Sequence, residues 1–212
     1  MPSSEARCKD VTGVILAGGR ATRMGGVDKG LIPVNKRPMI AYVIDALRLQ
    51  VADILISANR NRDSYAEFGY PVVDDGDDEF RGPLAGLASC MRTATTPYIA
   101  LAPCDSPLVC SDVVSRLHAA LSASDARIAA AHDGEWLQPV FALLERDLRD
   151  DLVGFLGSGG RKIGQWYEEQ GYVAVDFSDV IESFANINAP DDKRALEDKL
   201  AERDKADGRR MT

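Results

Sequence analysis

The stretch Thr12–Lys29, TGVILAGGRATRMGGVDK, decides how the rest of the chain is read. Its first part, Thr12–Ala17 (TGVILA), is short, apolar and β-branched, and it stops at Gly18-Gly19. That is the pattern of a strand buried on both faces in a parallel sheet. The loop Leu16–Lys29 that follows carries four glycines before Lys29 (Gly18, Gly19, Gly25, Gly26) and three fixed cations, Arg20, Arg23 and Lys29. Glycines let backbone approach a ligand closely, and successive N–H groups then form a nest for phosphate oxygens. Arginine grips oxygens in a fork and lysine supplies a point charge, which suits a triphosphate and the charge that develops on departing pyrophosphate. Two familiar phosphate loops fail on spelling. A P-loop needs Gly-Lys followed by Ser or Thr, whereas Lys29 lies between Asp28 and Gly30. A dinucleotide fingerprint needs GxGxxG, whereas Gly18-Gly19 are adjacent and Arg20 follows. The loop by itself reads as an NTP site of a nucleotidyltransferase.

Outward from the loop, strands and helices alternate. Pro38 is expected to sit in the first turn of a helix, PMIAYVIDALRLQ, with Ile40, Val43, Ile44 and Leu47 at helical spacing. Strands are expected at Asp53–Ala58, Val72-Val73, Tyr98–Ala102, Ile128–His132, Val140–Leu144 and Tyr172–Phe177. Helices are expected from Gly82-Pro83 to about Thr93, at Asp112–Leu121, at Lys162–Gln170 and from Pro190 onward, where acidic residues occupy the first turn as the helix dipole prefers. The alternation predicts an α/β fold: a Rossmann-like, mainly parallel sheet flanked by helices. One domain over residues 11–200 is the simplest reading, with polar ends, 1–10 and 201–212, expected to be disordered.

Composition narrows the functional classes. The chain has 212 residues and a formal net charge of −8, which argues against a nucleic-acid or anionic-membrane partner. Cys8, Cys90, Cys104 and Cys110 show no CxxC spacing, so reduced and mostly buried thiols are expected rather than zinc or a disulfide framework. The N-terminus has no apolar signal region, and no apolar stretch reaches the roughly 18 residues of a membrane span. A cytoplasmic protein is expected.

In parallel α/β sheets ligands bind beyond the carboxyl ends of the strands. That rule singles out Gly18-Gly19, Ser57, Asn59, Asp74-Asp75 and Asp105. Asp105 follows the apolar strand YIALA and is clamped between Pro103 and Pro107, so a carboxylate is fixed opposite a cationic loop. Such a group suits Mg²⁺, which takes one or two carboxylates plus phosphate oxygens; a helix-cap aspartate is the alternative. Within the acidic run Asp74–Glu79, Asp75 is the candidate ligand and the other acids read as a solvated loop. Gly82 and Pro83 shape a base pocket through backbone or simply start a helix. Asn186 and Asn188 alternate on an extended segment and so share a face. Gly159-Gly160-Arg161-Lys162 is a second glycine-plus-cation loop, read either as a phosphate contact or as an exposed loop. The two histidines are His118, read as a surface residue, and His132.

The spelling L-A-G-G-x-x-x-R-M-G-x-x-K resembles the signature of nucleotidyltransferases of the nucleotide-diphospho-sugar transferase type, and most closely the molybdenum cofactor guanylyltransferase family. GPLAG at Gly82–Gly86 and PCDSP at Pro103–Pro107 are similar to that family's second and third motifs. ANR at Ala58–Arg60, VDFSD at Val175–Asp179 and FANINAP at Phe184–Pro190 follow in the family's order, so the resemblance spans about residues 11–200. It implies Mg²⁺-dependent transfer of GMP from GTP to the terminal phosphate of molybdopterin. It also implies transient contacts with other cofactor-biosynthesis proteins or molybdoenzyme chaperones.

Matching positions imply roles. Leu16, Ala17, Gly18 and Gly19 meet the nucleotide through backbone, and Arg23 and Lys29 hold phosphates. Asp75 and Gly82 contact the nucleotide. Asp105 binds nucleotide and metal, and Asn186 and Asn188 meet molybdopterin. The family's nucleotide-binding asparagine falls by count at Ser57, a departure from the pattern, with Asn59 two residues on. With an acceptor phosphate that is already an anion, no general base is required, which fits the scarcity of histidine. A cytidylyltransferase is disfavoured because such relatives usually read LAAG at the first site. A sugar-phosphate enzyme would tend to be longer. A non-catalytic nucleotide-binding protein is disfavoured by Arg23, Lys29 and Asp105 together.

Overall fold

Strand β1, Cys8–Leu16, is buried from Val11 through Ile15. Alternate residues feed two different cores, which is why the segment reads as one apolar run. Val11 and Ile15 face helix α1 (Met39–Leu47) and helix α4 (Val113–Ser122), where Ile40, Ile44 and Leu117 meet them. Val14 faces the other way, toward helix α3 (Pro83–Thr93), helix α5 (Arg149–Gly157) and helix α6 (Ile163–Gln170). The computed structural model describes residues 7–17, 28–75, 82–185, 196–197 and 199–200.

These residues form a seven-stranded sheet in which β1 lies centrally. Beside it run β4 (Val51–Ser57) and then β5 (Val72–Val73) on one side, and β6 (Tyr98–Pro103) on the other. Beyond β6 come β8 (Leu137–Glu145), β7 (Ile128–His132) and β9 (Val173–Asp176). All pairings are parallel except those of β8, which runs antiparallel to both β6 and β7. The mainly parallel, helix-flanked α/β sheet expected from the alternation is the one observed. Among the described residues no helix is long and apolar enough to cross a membrane.

The expected disorder of residues 1–10 requires a correction over residues 7–10, while residues 1–6 lie outside the described residues. Cys8–Asp10 belong to β1. The Cys8 N–H donates to Gln50 O at 2.8 Å, and the Arg7 guanidinium donates to the carbonyls of Val51 and Ala52. Backbone pairing to β4 orders a segment whose side chains alone carry no strand signal. Pro38 also differs from expectation. It precedes α1 rather than entering its first turn, with extended backbone (ψ 140°), and pairs with Pro33 in a short hairpin. That hairpin joins β2 (Pro33–Val34) to β3 (Arg37–Pro38) through Asn35 and Lys36, both at positive φ (48° and 65°). Two left-handed residues are what a tight hairpin turn demands. Leu196 and Leu200, one helical turn apart, pack on Met39 and Tyr42 beside this hairpin. The start of the helix expected at Pro190 and the tail 201–212 lie outside the described residues.

Short helix α2 (Arg62–Ala66) and helix α5 have weak sequence signals, and the packing explains both. In α2 a single side chain, Tyr65, is buried. In α5 the inward residues Leu152, Phe155 and Leu156 share the helix with Gly154 and Gly157.

Candidate active site

Leu16, Ser57, Val73 and Pro103 lie level across four parallel strands. Three backbone bonds extend this row past the strand ends: Ala17 N to Ser57 O (2.8 Å), Ala58 N to Val73 O (2.9 Å) and Cys104 N to Leu16 O (3.1 Å). Among the residues singled out by the strand-end rule, the described ones, Ser57, Asn59, Asp74-Asp75 and Asp105, therefore sit along one edge of the sheet. Two clusters stand on it.

The first joins β1 to β6. Lys29 Nζ donates to Asp105 Oδ2 at 3.1 Å, and both side chains are largely buried. Lys29 begins a single 3₁₀ turn, Lys29–Leu31, and its neighbour Asp28 anchors that turn. Asp28 accepts the Tyr65 hydroxyl on Oδ1 and the Asn61 amide on Oδ2 (3.2 Å). Asn61 holds a left-handed backbone (φ 49°) to reach it. Burial pushes the Tyr65 phenol well above its usual range, with the nearby Cys104 thiol and the Asp28 carboxylate adding to the effect, so it stays a proton donor. Gly30 has no space for a side chain. A Cβ there would lie 2.7 Å from Tyr65 Oη and 3.0 Å from Cys104 Sγ. The chain thus returns from the glycine loop through a fixed gate, and that gate delivers Lys29 to Asp105.

The second cluster joins β4 to β5. Asn59 and Asp75 clasp each other: Asn59 Nδ2 donates to Asp75 Oδ2 at 2.6 Å, and the Asp75 N–H donates to Asn59 Oδ1 at 2.9 Å. Desolvation holds the Asp75 carboxyl above its usual range, with the Asp74 charge adding to it and the Asn59 bond opposing. Ser57 is only 3% exposed and lies beneath α3. A Cβ on Gly86 would stand 2.1 Å from Ser57 Oγ and 2.9 Å from Asp75 Oδ1, so the glycine lets the first turns of α3 close over both. Gly82 precedes α3 at φ 114°, a conformation suited to glycine, and Pro83 starts the helix. Asn59 is the exposed amide of this cluster, and Ser57 is the buried hydroxyl.

Chemically, the edge offers a cation–carboxylate pair at one end and an amide–carboxylate pair at the other. The backbone of Ala17 lies between them. Gly18, Gly19, Arg20, Arg23, Gly25 and Gly26 lie outside the described residues, as do Asn186 and Asn188. Among the described residues, no three His, Cys, Asp or Glu side chains gather as a metal cage.

Two further candidates find structural employment. Gly159-Gly160 terminate α5: Gly159 takes φ 94°, its N–H bonds Leu156 O (3.1 Å), and the Gly160 N–H bonds Phe155 O (2.9 Å), a Schellman cap. Arg161 donates to Leu156 O at 2.8 Å and so serves the same helix end. His118, read as a surface residue, is partly buried. Its Nε2 faces Asp10 Oδ2 at 3.3 Å and its ring meets the edge of Tyr98, near the opposite ends of β1 and β6 from Asp105. No disulfide joins the four cysteines; Cys90 and Cys104 are buried, and Cys8 and Cys110 partly so.

Sequence reasoning assigned no role to Asp28, Gly30, Asn61, Tyr65 or Gly86. Asp28 and Gly30 flank Lys29 in the quoted loop. Tyr65 and Asn61 belong to a polar segment, and only the folded chain brings them to Asp28.

A family model described as the MobA-like NTP transferase domain matches residues 13–171. A molybdenum cofactor guanylyltransferase of Shewanella loihica is 47% identical over 191 residues, covering 90% of this chain and 97% of that protein. Its counterpart in Shewanella pealeana is 46% identical over 90% of this chain and 96% of its own length. The crystal structure of molybdopterin-guanine dinucleotide biosynthesis protein A from Archaeoglobus fulgidus has the same fold, with a TM-score of 0.75 at 19% identity, covering 90% of this chain and 99% of that one. With its glycine loop and its strand-end aspartate both inside the matched region, the chain belongs to the MobA-like NTP transferase family.

Proposed function

We propose that this protein transfers GMP from GTP to the terminal phosphate of molybdopterin, forming the guanine dinucleotide form of the cofactor and diphosphate. The observation that carries the reading is the Lys29–Asp105 pair at the strand-end edge, in a chain 47% identical to a molybdenum cofactor guanylyltransferase along nine-tenths of its length. An oxygen of the acceptor phosphate attacks the α-phosphorus of GTP. A P–O bond forms there as the bond to the β-phosphate oxygen breaks, and the electron pair leaves with diphosphate.

The nucleophile is already an anion, so the protein's work is alignment and charge screening. In this reading Arg23 and Lys29 hold the phosphates, and the backbone of Leu16, Ala17, Gly18 and Gly19 borders them. Asn59 and Asp75 meet the ribose or the guanine N–H donors, for which a carboxylate acceptor is suited. Ser57 supports this end from beneath, and Gly82 opens the base pocket. Asn186 and Asn188 face the pterin. A single fixed carboxylate, Asp105, fits Mg²⁺, which keeps waters and substrate phosphates as most of its ligands. When bound there, the ion supplies charge neutralisation at the triphosphate. The GTP donor fits a cytoplasmic site of action.

Diphosphate release with molybdopterin as acceptor, assayed with each of the four NTPs and Mg²⁺, tests the proposal. GTP is expected to be the preferred donor. A preference for CTP would overturn the guanylyl assignment, and absence of transfer with every NTP would overturn the activity.

A further inference from the structure

Trp136 is 67% exposed, the largest side chain left open to solvent among the described residues. It stands in the four-residue tip, 133–136, that joins β7 to β8. β8 runs antiparallel to β6, so its first residues lie at the same edge of the sheet as Asp105. The β6–β8 ladder stops at Leu101–Ala142, and no pair joins the two strands beyond it among the described residues. On the other side of β8 the register to β7 jumps from Ala130–Ala142 to Ala131–Gln138, so Pro139–Phe141 bulge at this edge. Bulges of this kind occur beside active sites, where they re-aim a side chain. The two clusters already described lie on the β1, β4, β5 and β6 side of Asp105; the Trp136 tip stands on the opposite side.

The tip is braced. The Asp133 N–H donates to Trp136 O (3.1 Å), and Asp133 Oδ1 accepts the N–H groups of Glu135 (2.9 Å) and Trp136 (2.7 Å). Asp133 Oδ2 accepts the Gln138 side-chain amide at 2.7 Å, and His132 Nδ1 accepts the Gly134 N–H at 3.1 Å. Gly134 takes φ 98°, and a Cβ there would press to 3.0 Å from Ser178 Cβ, so the tip rests on the segment Ser178–Phe184. That segment leads directly toward Asn186 and Asn188 in the sequence. Such bracing fixes the backbone beneath an indole that buries little of its own surface.

A solvent-exposed indole on a braced backbone is a stacking face for a flat heterocycle, since π-faces attract without a hydrogen-bond pattern. We propose that Trp136 stacks on the fused bicyclic ring of the acceptor and is a specificity-determining residue for it. The inference rests on the acceptor being a pterin, as argued under Proposed function. GTP occupies the other side of Asp105 in that reading, so Trp136 acts on the second substrate alone.

Two measurements test it. In transfer assays, W136A raises KM for molybdopterin about 10–100-fold, the span expected for one lost aromatic stack, while KM for GTP holds within twofold. W136F keeps a π-face and restores most of the acceptor KM. An unchanged acceptor KM in W136A, with transfer intact, overturns the role of Trp136 and leaves the activity standing. Independently of turnover, 6-hydroxymethylpterin quenches tryptophan emission of the wild type beyond that of W136F. The second tryptophan, Trp166, is 0% exposed and supplies the baseline. Equal quenching in the two proteins overturns the stacking site, whatever the transfer assay reports. Quenching with no molybdopterin turnover at any NTP upholds the ring site and overturns the acceptor assignment instead.

Discussion

Lys29 and Asp105 are 76 positions apart in the chain and meet at 3.1 Å. One ends the glycine loop after β1 and the other follows β6, and the parallel pairing of Leu16 with Pro103 brings the two together. In the proposed function each side chain supplies what the other lacks for handling a triphosphate: a fixed positive charge and a carboxylate suited to a hard cation.

Removing the carboxylate is expected to abolish metal-dependent turnover without unfolding the protein. For Asp105→Ala, kcat falls by about 10²–10³-fold, the scale seen when one preorganised electrostatic group is lost. Turnover against Mg²⁺ concentration, with thermal unfolding as the folding control, checks this. Near-normal rates at ordinary Mg²⁺ would remove Asp105 from the metal role.

Lys29→Ala is expected to weaken GTP binding. A charged hydrogen bond contributes about 1.5–3 kcal/mol, so the GTP dissociation constant rises about 10–100-fold. Calorimetric titration with GTP measures it, and an unchanged constant refutes the phosphate contact.

Tyr65→Phe leaves the ring in place and takes one donor from Asp28. Stability falls by about 1–3 kcal/mol, as expected when a partly buried carboxylate loses a hydrogen-bond donor. Because Asp28 adjoins Lys29, kcat is expected to fall as well. Urea unfolding and steady-state kinetics on the same variant check both arms. A stability loss with unchanged kcat would limit Tyr65 to a folding role.

Gly86→Ala places a methyl group 2.1 Å from Ser57 Oγ. Overpacking of this kind costs about 1–3 kcal/mol. Gly154→Ala in α5, where no atom lies within 4 Å of the new Cβ, serves as a control and is expected to keep or raise the unfolding midpoint in urea. Equal midpoints for the two variants would contradict the close approach of α3 to β4.

The raised carboxyl of Asp75 has a pH signature. The folded state binds this proton more tightly than the unfolded chain does, so the favourable contribution is present below the unfolded value, near 4. It is lost as pH rises through the higher folded value. The amide in Asp75→Asn never ionises. The stability of D75N relative to wild type is therefore expected to increase from pH 3.5 to pH 7, read from urea midpoints at each pH. A flat or falling difference would show that the Asn59 bond outweighs the desolvation of Asp75.

The sequence by itself determined the α/β alternation, the buried central strand, the glycine-and-cation spelling of the loop and the strand-end placement of Asp105. Each of these is written in contiguous residues: an apolar run, a glycine-and-cation spelling, an aspartate between prolines. Tertiary structure alone decided which groups act together. Asn59 presents its amide to solvent while the Ser57 hydroxyl is buried, because α3 closes over Ser57 through Gly86. Tyr65 and Asn61 anchor Asp28 across more than thirty residues. Gly159, Gly160 and Arg161 cap the end of α5. The first ten residues read as frayed on composition, yet Cys8–Asp10 belong to β1, tied to β4 through the backbone of Cys8. The physical reason is common to all of these. Periodicity and spelling report what a residue does to its near neighbours in the chain, whereas burial and backbone pairing are set by segments far away in it.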